Sequence, residues 1–392
     1  MRGVGFAPPP HWRYHPSFPA HSSFFHWLLE IQISKIPTRS EDVIVVYEVK
    51  LSGHYYDMGL EIGKTLEKDK GLLPEFSKEN LVKGMAYEKE VRTYAPELLE
   101  ELQGIADGSG VDYRVVATNE LSPYRNQPSC LVMAISGDHT QSGLPVLARN
   151  HEWIVEDSNY LTLCRTKPNG KLYSLGFTFH WGNMSRYGGI NEAGLAISST
   201  SASFVNSGPG VMFNVAQRWI LDNYRTIEEA TDFLERIPKT WGTAYLMIDR
   251  KGTIAKVEAH REKTTTTYVD NGFEFVSLRF DSPEMDKYNE QDPQNQWAFE
   301  IYSARKPFLL KWFSQNRGNI HDEMIIDALK NHENKMCTHE YDGKVHNGIC
   351  WSWILTPGKD EVAVCIGPPC KNQFKRIPIF QVVRQLKPKS TV

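Results

Sequence analysis

Residues 128–153 read PSCLVMAISGDHTQSGLPVLARNHEW, and we interpret the rest of the chain from this stretch. Two short apolar runs flank a polar connection that contains two glycines, which is the pattern of a β-hairpin. Cys130 stands at the start of the first strand, and Arg149 and Glu152 stand at the end of the second. Because antiparallel pairing brings these strand ends together, the sequence predicts that the thiol lies beside the guanidinium and the carboxylate.

The composition of the chain limits the classes of protein to which it can belong. A length of 392 residues suggests one large or two ordinary domains, and 41% hydrophobic with 23% charged residues is ordinary for a globular protein. The net charge of −3 gives no basic surface for nucleic acid, and no apolar stretch reaches the roughly 20 residues that span a bilayer. Six cysteines are few for this length, which indicates reduced thiols and a cytoplasmic protein.

The first 42 residues differ from the rest of the chain because they are rich in proline, histidine and aromatic residues. Residues 24–36, FFHWLLEIQISKI, are apolar but contain charged side chains. The segment lacks a basic start and a small-residue cleavage site, which argues against a signal peptide. We therefore interpret residues 1–42 as an N-terminal extension that packs on the surface or is disordered.

Elsewhere the chain alternates paired strands with paired helices. Helical spacing of apolar residues predicts helices at 96–107, 211–224 and 227–236, and predicted hairpins separate them. Gly59 and Gly63 lie in a further predicted helix, where small residues would allow close packing against a neighbour. Hairpins in place of single strand–helix units argue against a Rossmann sheet and favour two antiparallel sheets between helix layers.

The hairpin carries a recognisable pattern, Gly-x-Pro-x-x-x-Arg-Asn-x-Glu-Trp, whose fixed positions apart from the glutamate are Gly143, Pro145, Arg149, Asn150 and Trp153. This pattern resembles the N-terminal-nucleophile hydrolases, specifically the acyltransferase family that includes the fungal penicillin acyltransferase, and more distantly choloylglycine hydrolase. The resemblance extends from about Val46 to Cys370. Within and just before this hairpin, the chain departs from the family at three positions: it has Glu152 for the usual Asp, Leu131 for Thr, and Ser129 for Gly.

The resemblance implies an α+β fold, a four-layer α/β/β/α sandwich of two antiparallel sheets between helix layers. It also implies a zymogen that cleaves itself between Ser129 and Cys130. Residues 43–129 would then form a small subunit, and residues 130–392 would form the catalytic segment. The enzyme would be an amidohydrolase or acyltransferase that forms a thioester on Cys130.

The chemistry explains why these residue types would be needed. A thiolate is a strong nucleophile, and a free α-amine has a reference pKa near 8 that suits a base at neutral pH. Self-cleavage would create both groups at Cys130. Glu152 would orient the amine through a charge-assisted hydrogen bond, and Arg149 would support the charge on the thiolate or on the substrate carbonyl.

Three further residues are candidates for contacts with the substrate or its oxyanion, namely Asn150, Ser201 and Arg279. Relatives carry an oxyanion-donating Asn where this chain has Leu278, whose side chain cannot donate a hydrogen bond. We therefore expect that Arg279 or a backbone amide replaces that donor, or that the activity is lowered or changed.

The C-terminal third contains a set of cysteine and histidine residues: Cys337, His339, His346, Cys350, Cys365 and Cys370. Such residues invite a zinc interpretation, but their spacings do not fit a regular zinc finger. The resemblance makes several of them ordinary structural positions. We therefore expect no bound metal and no cofactor.

Three functional hypotheses follow, of which we favour the autoprocessed cysteine amidohydrolase or acyltransferase. The second is a catalytically silent relative that stays intact and binds a small ligand, as the departures at Ser129, Leu131 and Leu278 would suit. The third is a zinc-dependent hydrolase that uses the C-terminal Cys/His set. The favoured hypothesis implies a small-molecule amide or acyl substrate, involves neither nucleic acid nor a membrane, and is compatible with a homo-oligomer.

Overall fold

The structure, a computed structural model, describes residues 30–37, 43–66, 73–123, 129–179, 184–292, 295–338 and 347–379. These residues form two sheets, whose strands are numbered in chain order. The larger sheet has nine strands, which in spatial order are β1 (Glu30–Pro37), β2 (Val43–Gly53), β5 (Leu161–Pro168), β6 (Ser174–Phe179), β7 (Gly189–Asn191), β8 (Ala196–Ser203), β9 (Gly242–Ile248), β10 (Ile254–Ala259) and β11 (Thr264–Val269).

The smaller sheet has six strands, which in spatial order are β12 (Phe273–Ser277), β3 (Ser129–Ile135), β4 (Val146–Ile154), β13 (Asn347–Leu355), β14 (Glu361–Ile366) and β15 (Lys375–Pro378). Among the described strands, every pairing is antiparallel except that between β2 and β5, which is parallel. Strand β1 comes from the predicted N-terminal extension and pairs with β2 along its length. The rest of that extension lies outside the described residues.

Helices cover the outer faces of both sheets. They are α1 (Tyr55–Leu66), α2 (Lys78–Tyr94), α3 (Glu97–Ser109), α4 (Tyr113–Leu121), α5 (Phe213–Asn223), α6 (Ile227–Arg236), α7 (Asp286–Glu290), α8 (Asn295–Asn316) and α9 (Asp322–Leu329). Leu131 and Met133 of β3 share a buried apolar cluster with Leu309 of α8 and Ile325 of α9. The two sheets bury their other faces against each other, and helices such as α5 and α6 pack on the larger sheet. The predicted four-layer α/β/β/α arrangement is therefore confirmed.

Close packing of α1 against α3 depends on glycine. A Cβ atom at Gly59 would lie 2.0 Å from the carbonyl oxygen of Glu101, and one at Gly63 would lie 2.4 Å from that of Ile105. No side chain fits at such distances, so the role that the sequence predicted for these two glycines is confirmed.

A buried ionic network links the N-terminal segment to the rest of the protein. Arg218 of α5 donates to both carboxylate oxygens of Glu101 in α3, at 3.3 and 3.0 Å, and to Asp222 at 2.6 Å. Tyr55 of α1 donates to the same aspartate at 3.0 Å. Because removal of one partner would leave a buried charge uncompensated, this network ties α1 and α3 firmly to α5.

None of the described helices combines the length and the apolar composition that a membrane span needs.

Candidate active site

The hairpin predicted from the central stretch is confirmed, and its register fixes the geometry around Cys130. Strands β3 and β4 pair so that Ser129 lies opposite Glu152, Cys130 opposite His151, and Val132 opposite Arg149. Side chains alternate between the two faces of a strand. Cys130, Arg149 and His151 therefore face the space between the two sheets, while Glu152 faces the helix layer of α8 and α9.

Two nitrogen-containing side chains contact the buried thiol of Cys130. Arg149 donates through Nη2 to the Cys130 sulfur at 3.0 Å, and Nδ1 of His151 lies 3.4 Å from the same atom. Burial raises the pKa of the Cys130 thiol, and the nearby Arg149 guanidinium opposes this rise. The thiol is therefore protonated at neutral pH and needs a base before it can attack a carbonyl.

Arg149 is held in place from the larger sheet. Its Nη1 donates to the hydroxyl of Ser198 on β8 at 2.8 Å and to the backbone carbonyl of Tyr187. The guanidinium carbon also lies 6.0 Å from the centre of the Trp351 ring. These contacts fix a full positive charge beside the sulfur, so the thiol and the guanidinium lie together as the hairpin predicted.

His151 was not among the candidate residues predicted from the sequence, although it lies within the quoted stretch. Its imidazole is fully buried and stacks on Trp351 with ring centres 3.6 Å apart. Burial, followed by the charge on Arg149, holds the pKa of His151 well below its ordinary value. The ring is consequently neutral at physiological pH, and in the tautomer protonated at Nε2 the lone pair on Nδ1 faces the thiol.

The Thr200 side chain of β8 contacts the backbone of two segments at the candidate site, the start of β3 and the segment after β12. Its hydroxyl accepts a hydrogen bond from the Cys130 amide at 3.2 Å and from the Leu278 amide at 3.3 Å, and donates to the Ser201 carbonyl at 3.2 Å. The candidate predicted from the sequence was the adjacent Ser201. Strand alternation places Ser201 on the same side of β8 as Ser199. That side faces the helices, because the Ser199 hydroxyl accepts a hydrogen bond from Gln217 of α5.

The segment after β12 presents a backbone amide where a side-chain donor was expected. Leu278 has a positive φ of 59°, an uncommon conformation for a residue with a branched side chain, and its amide points at Thr200. The Arg279 side chain instead lies against α8, with its guanidinium carbon 5.2 Å from the Phe299 ring centre and 5.8 Å from that of Tyr302. Two groups were expected to replace the missing Asn donor, the Arg279 side chain or a backbone amide. The backbone amide of Leu278 is the one that lies near Cys130.

Glu152 forms a buried ion pair that no feature of the sequence indicated. Nη2 of Arg305, a fully buried residue of α8, donates to the Glu152 carboxylate. Arg305 also donates to the Ser277 hydroxyl at 2.9 Å and to the Lys335 carbonyl at 2.8 Å. The backbone amide of Glu152 approaches the Cys130 sulfur from the neighbouring strand. Glu152 thus connects the hairpin to α8 at the level of the predicted cleavage point.

Asn150 faces the helix layer and not the thiol. Its amide nitrogen donates to the carbonyls of Leu329 and Met336 at 3.0 and 2.8 Å, and its oxygen accepts from Ser352 at 2.6 Å. These bonds tie β4 to β13 and to the segment after α9. Asn150 is therefore placed to hold the hairpin in position.

The C-terminal Cys/His set is only partly described. His339 and His346 lie outside the described residues, and Cys350 and Cys365 lie within β13 and β14. Cys337 and Cys370 lie close together, with His332 beside them. All six cysteines, each within the described residues, are thiols and not disulfides.

Comparisons with known proteins identify what this chain resembles. A family model described as acyl-coenzyme A:6-aminopenicillanic acid acyl-transferase matches residues 139–369, a range that contains Arg149, Glu152 and Arg305 and begins after Cys130. No curated protein sequence matches the chain.

Several solved structures are similar at low identity. A mutant of the conjugated bile acid hydrolase from Clostridium perfringens is 14% identical with a TM-score of 0.46, over 64% of this chain and 92% of that one. The penicillin V acylase from Agrobacterium tumefaciens is 15% identical with a TM-score of 0.42, over 60% and 82%. The Caenorhabditis elegans ortholog of N-acylethanolamine-hydrolyzing acid amidase is 14% identical with a TM-score of 0.40, over 59% and 93%.

Proposed function

The chain belongs to the acyl-coenzyme A:6-aminopenicillanic acid acyl-transferase family, and from that membership we propose that it is an autoprocessed enzyme with Cys130 as nucleophile. The observation that carries the assignment is the buried Arg149 guanidinium, which lies 3.0 Å from the Cys130 sulfur and is fixed by Ser198 and Tyr187. A cation fixed beside a thiol stabilises the thiolate that forms during attack.

Self-cleavage begins in the intact chain, where the Cys130 nitrogen is an amide and cannot act as a base. His151 takes the thiol proton through Nδ1. The sulfur then bonds to the carbonyl carbon of Ser129, the bond from that carbon to the Cys130 nitrogen breaks, and the nitrogen gains a proton. Water next attacks the thioester carbon, which releases the thiol and leaves a carboxylate at Ser129.

After cleavage the α-amine of Cys130 becomes the base for the amidase reaction. It takes the thiol proton, the sulfur attacks the substrate carbonyl to give a thioester, and the amine then protonates the leaving amine. The start of β3 lies across from Glu152. In this proposal the Glu152 carboxylate orients the ammonium group through a charge-assisted hydrogen bond. The Leu278 amide, which now donates to the Thr200 hydroxyl, would donate to the oxyanion if the substrate oxygen replaced that hydroxyl as its acceptor.

The thioester on Cys130 is the intermediate that tests this proposal. We expect that mixing the processed protein with N-acyl aminocoumarin amides, ranging from acetyl to palmitoyl, adds the mass of one acyl group to the fragment of residues 130–392. Hydroxylamine should remove that added mass. Turnover that proceeds undiminished in a variant without the Cys130 thiol would exclude the mechanism, and an intact chain that only binds the amide would favour the silent relative.

A second prediction separates the two bases. The His151→Phe variant keeps an aromatic ring against Trp351 but removes the proton acceptor, and we expect self-cleavage to slow by about 10²-fold, the lower end of the range for a general base. Turnover by the molecules that do become processed should change much less, because the α-amine then serves as base. Time courses on denaturing gels measure the first quantity, and assays normalised to processed protein measure the second.

Phe179→Leu is a matched control, because the Phe179 ring belongs to the same aromatic cluster, with its centre 6.0 Å from that of His151, and has no proton acceptor. The cleavage rate should also be flat from about pH 6.5 to about pH 8.5, since the pKa of His151 is lowered and that of Cys130 is raised. Cleavage of His151→Phe at the wild-type rate would show that another group takes the thiol proton.

A further inference from the structure

Three side chains with metal-binding atoms meet on the outer side of the smaller sheet, away from the Cys130 thiol. His332 and Cys337 lie in the segment after α9, and Cys370 lies in the turn after β14. The ligand atoms of these three residues all lie within 4.8 Å of one another. Their spacing in the sequence fits no regular zinc motif, because the fold and not a local repeat brings them together.

The distances are compatible with one metal ion bound by all three side chains. Tetrahedral zinc with bonds of about 2.0 to 2.3 Å holds its N and S ligands about 3.3 to 3.8 Å apart, so rotations of the side chains close the remaining gap. A disulfide between Cys337 and Cys370 would give His332 no part in the cluster. The imidazole beside two thiols is therefore the observation that selects a metal.

Binding of zinc would displace the protons of both thiols, because the thiolate and not the thiol is the ligand. Cys337 is buried, so the ion would compensate the charge of its thiolate there.

We propose that His332, Cys337 and Cys370 bind one zinc ion, with water in the fourth position. The proposal differs from the expectation from the sequence that the Cys/His set holds no metal, and it does not depend on the proposed catalytic function. The half-exposed position of Cys370 and the exposed position of His332 give the ion access from solvent.

The site would also stabilise the segment that supports Glu152. The backbone carbonyl of Lys335, a residue with a positive φ of 55°, accepts from Arg305, and that of Met336 accepts from Asn150. The amide of Cys337 donates to the Asn331 carbonyl at 3.0 Å, which closes the turn after α9. A metal on Cys337 would therefore fix the turn that presents these two carbonyls.

Elemental analysis of the full-length protein, purified without added metal or chelator, tests the proposal directly. We expect about one zinc per chain in the wild type and less than about a tenth of that in Cys337→Ala and Cys370→Ala, because two remaining ligands hold zinc poorly. His332→Ala should bind zinc more weakly than the wild type does, because it also lacks one of the three ligands. Cys164→Ala and His321→Ala are matched controls, since Cys164 is a buried thiol of the larger sheet and His321 precedes α9, and both should keep their zinc.

A second measurement on the wild type does not depend on whether the variants fold. Removal of zinc with a chelator should lower the melting temperature by roughly 5 °C, and zinc should restore it. Cobalt(II) added to the stripped protein should give a thiolate charge-transfer band that is absent from Cys337→Ala. A native protein without metal whose intact mass and thiol labelling show a disulfide between Cys337 and Cys370 would overturn the proposal, as would full zinc content in Cys337→Ala.

Discussion

The Cys130→Ala variant is expected to remain a single chain of 392 residues, while the native protein separates on a denaturing gel into residues 1–129 and 130–392. In the proposed mechanism the Cys130 sulfur attacks the Ser129 carbonyl, so neither the acyl shift nor the later thioester could form in the variant. Amidase turnover should fall by about 10⁶-fold, the order of loss that follows removal of a hydrolase nucleophile.

Two further variants sharpen this experiment. Cys130→Ser should cleave slowly, because a hydroxyl can perform the same acyl shift, but its amidase rate should collapse. Cys350→Ala removes another buried thiol of the same sheet and should be processed as the wild type is. Cleavage of Cys130→Ala, or no cleavage of the native protein at long times, would count against self-cleavage at this bond.

The two fragments should stay together under native conditions. Glu101 and Tyr55 belong to the fragment before the cleavage point, while Arg218 and Asp222 belong to the fragment after it, and the four form one buried network. Strand β2 also pairs with β5 across the same division. Size-exclusion chromatography of processed protein should therefore give one species that contains both fragments.

The part of the site that could be predicted from the sequence is the part that depends on local pairing. Two strands joined by a short turn must lie side by side, so the sequence alone places Cys130 near Arg149. His151 lies in the same stretch, but nothing in its position in the pattern indicates a contact with sulfur. The strand register brings it to the sulfur, because it sets His151 directly across from Cys130.

The candidates Ser201 and Arg279 show how strongly such predictions depend on strand alternation. Ser201 and Thr200 are adjacent, yet only Thr200 faces Cys130, because consecutive side chains of a strand point to opposite faces. In the segment after β12, the group that contacts Thr200 is the backbone amide of Leu278. The sequence had suggested the side chain of Arg279 as one possible donor there. The family resemblance locates each segment to within one residue, and the packing of the two sheets decides which residue of the segment lies beside Cys130.

Groups that meet through tertiary packing left no signal in the sequence. Arg305 reaches Glu152 from a helix far along the chain, and His332 meets Cys370 from a different element of the fold. No spacing rule joins such positions, since their proximity depends on how α8 and α9 pack on the smaller sheet. Because the Glu152 carboxylate is half of a buried ion pair with Arg305, a substitution of Glu152 changes stability as well as any effect on turnover.

The Glu152→Gln variant is expected to lose both stability and turnover. It leaves the Arg305 guanidinium buried without its counter-charge, which should lower the free energy of unfolding by about 3–5 kcal/mol. If Glu152 also orients the α-amine of Cys130, turnover should fall by about 10²–10³-fold, with a smaller change in KM. Urea unfolding measures the first effect, and assays on processed, folded protein measure the second.

The double variant Glu152→Gln/Arg305→Gln separates these two roles. It removes both charges at once, so the stability lost in the single variant should largely return, because the cost came from one uncompensated ion. Turnover should stay low, since the carboxylate that orients the amine is still absent. Glu152→Asp keeps the charge and should retain more turnover than Glu152→Gln or the double variant. Recovery of wild-type turnover in the double variant would show that Glu152 only neutralises Arg305, while the assignment of Cys130 as nucleophile would be unaffected.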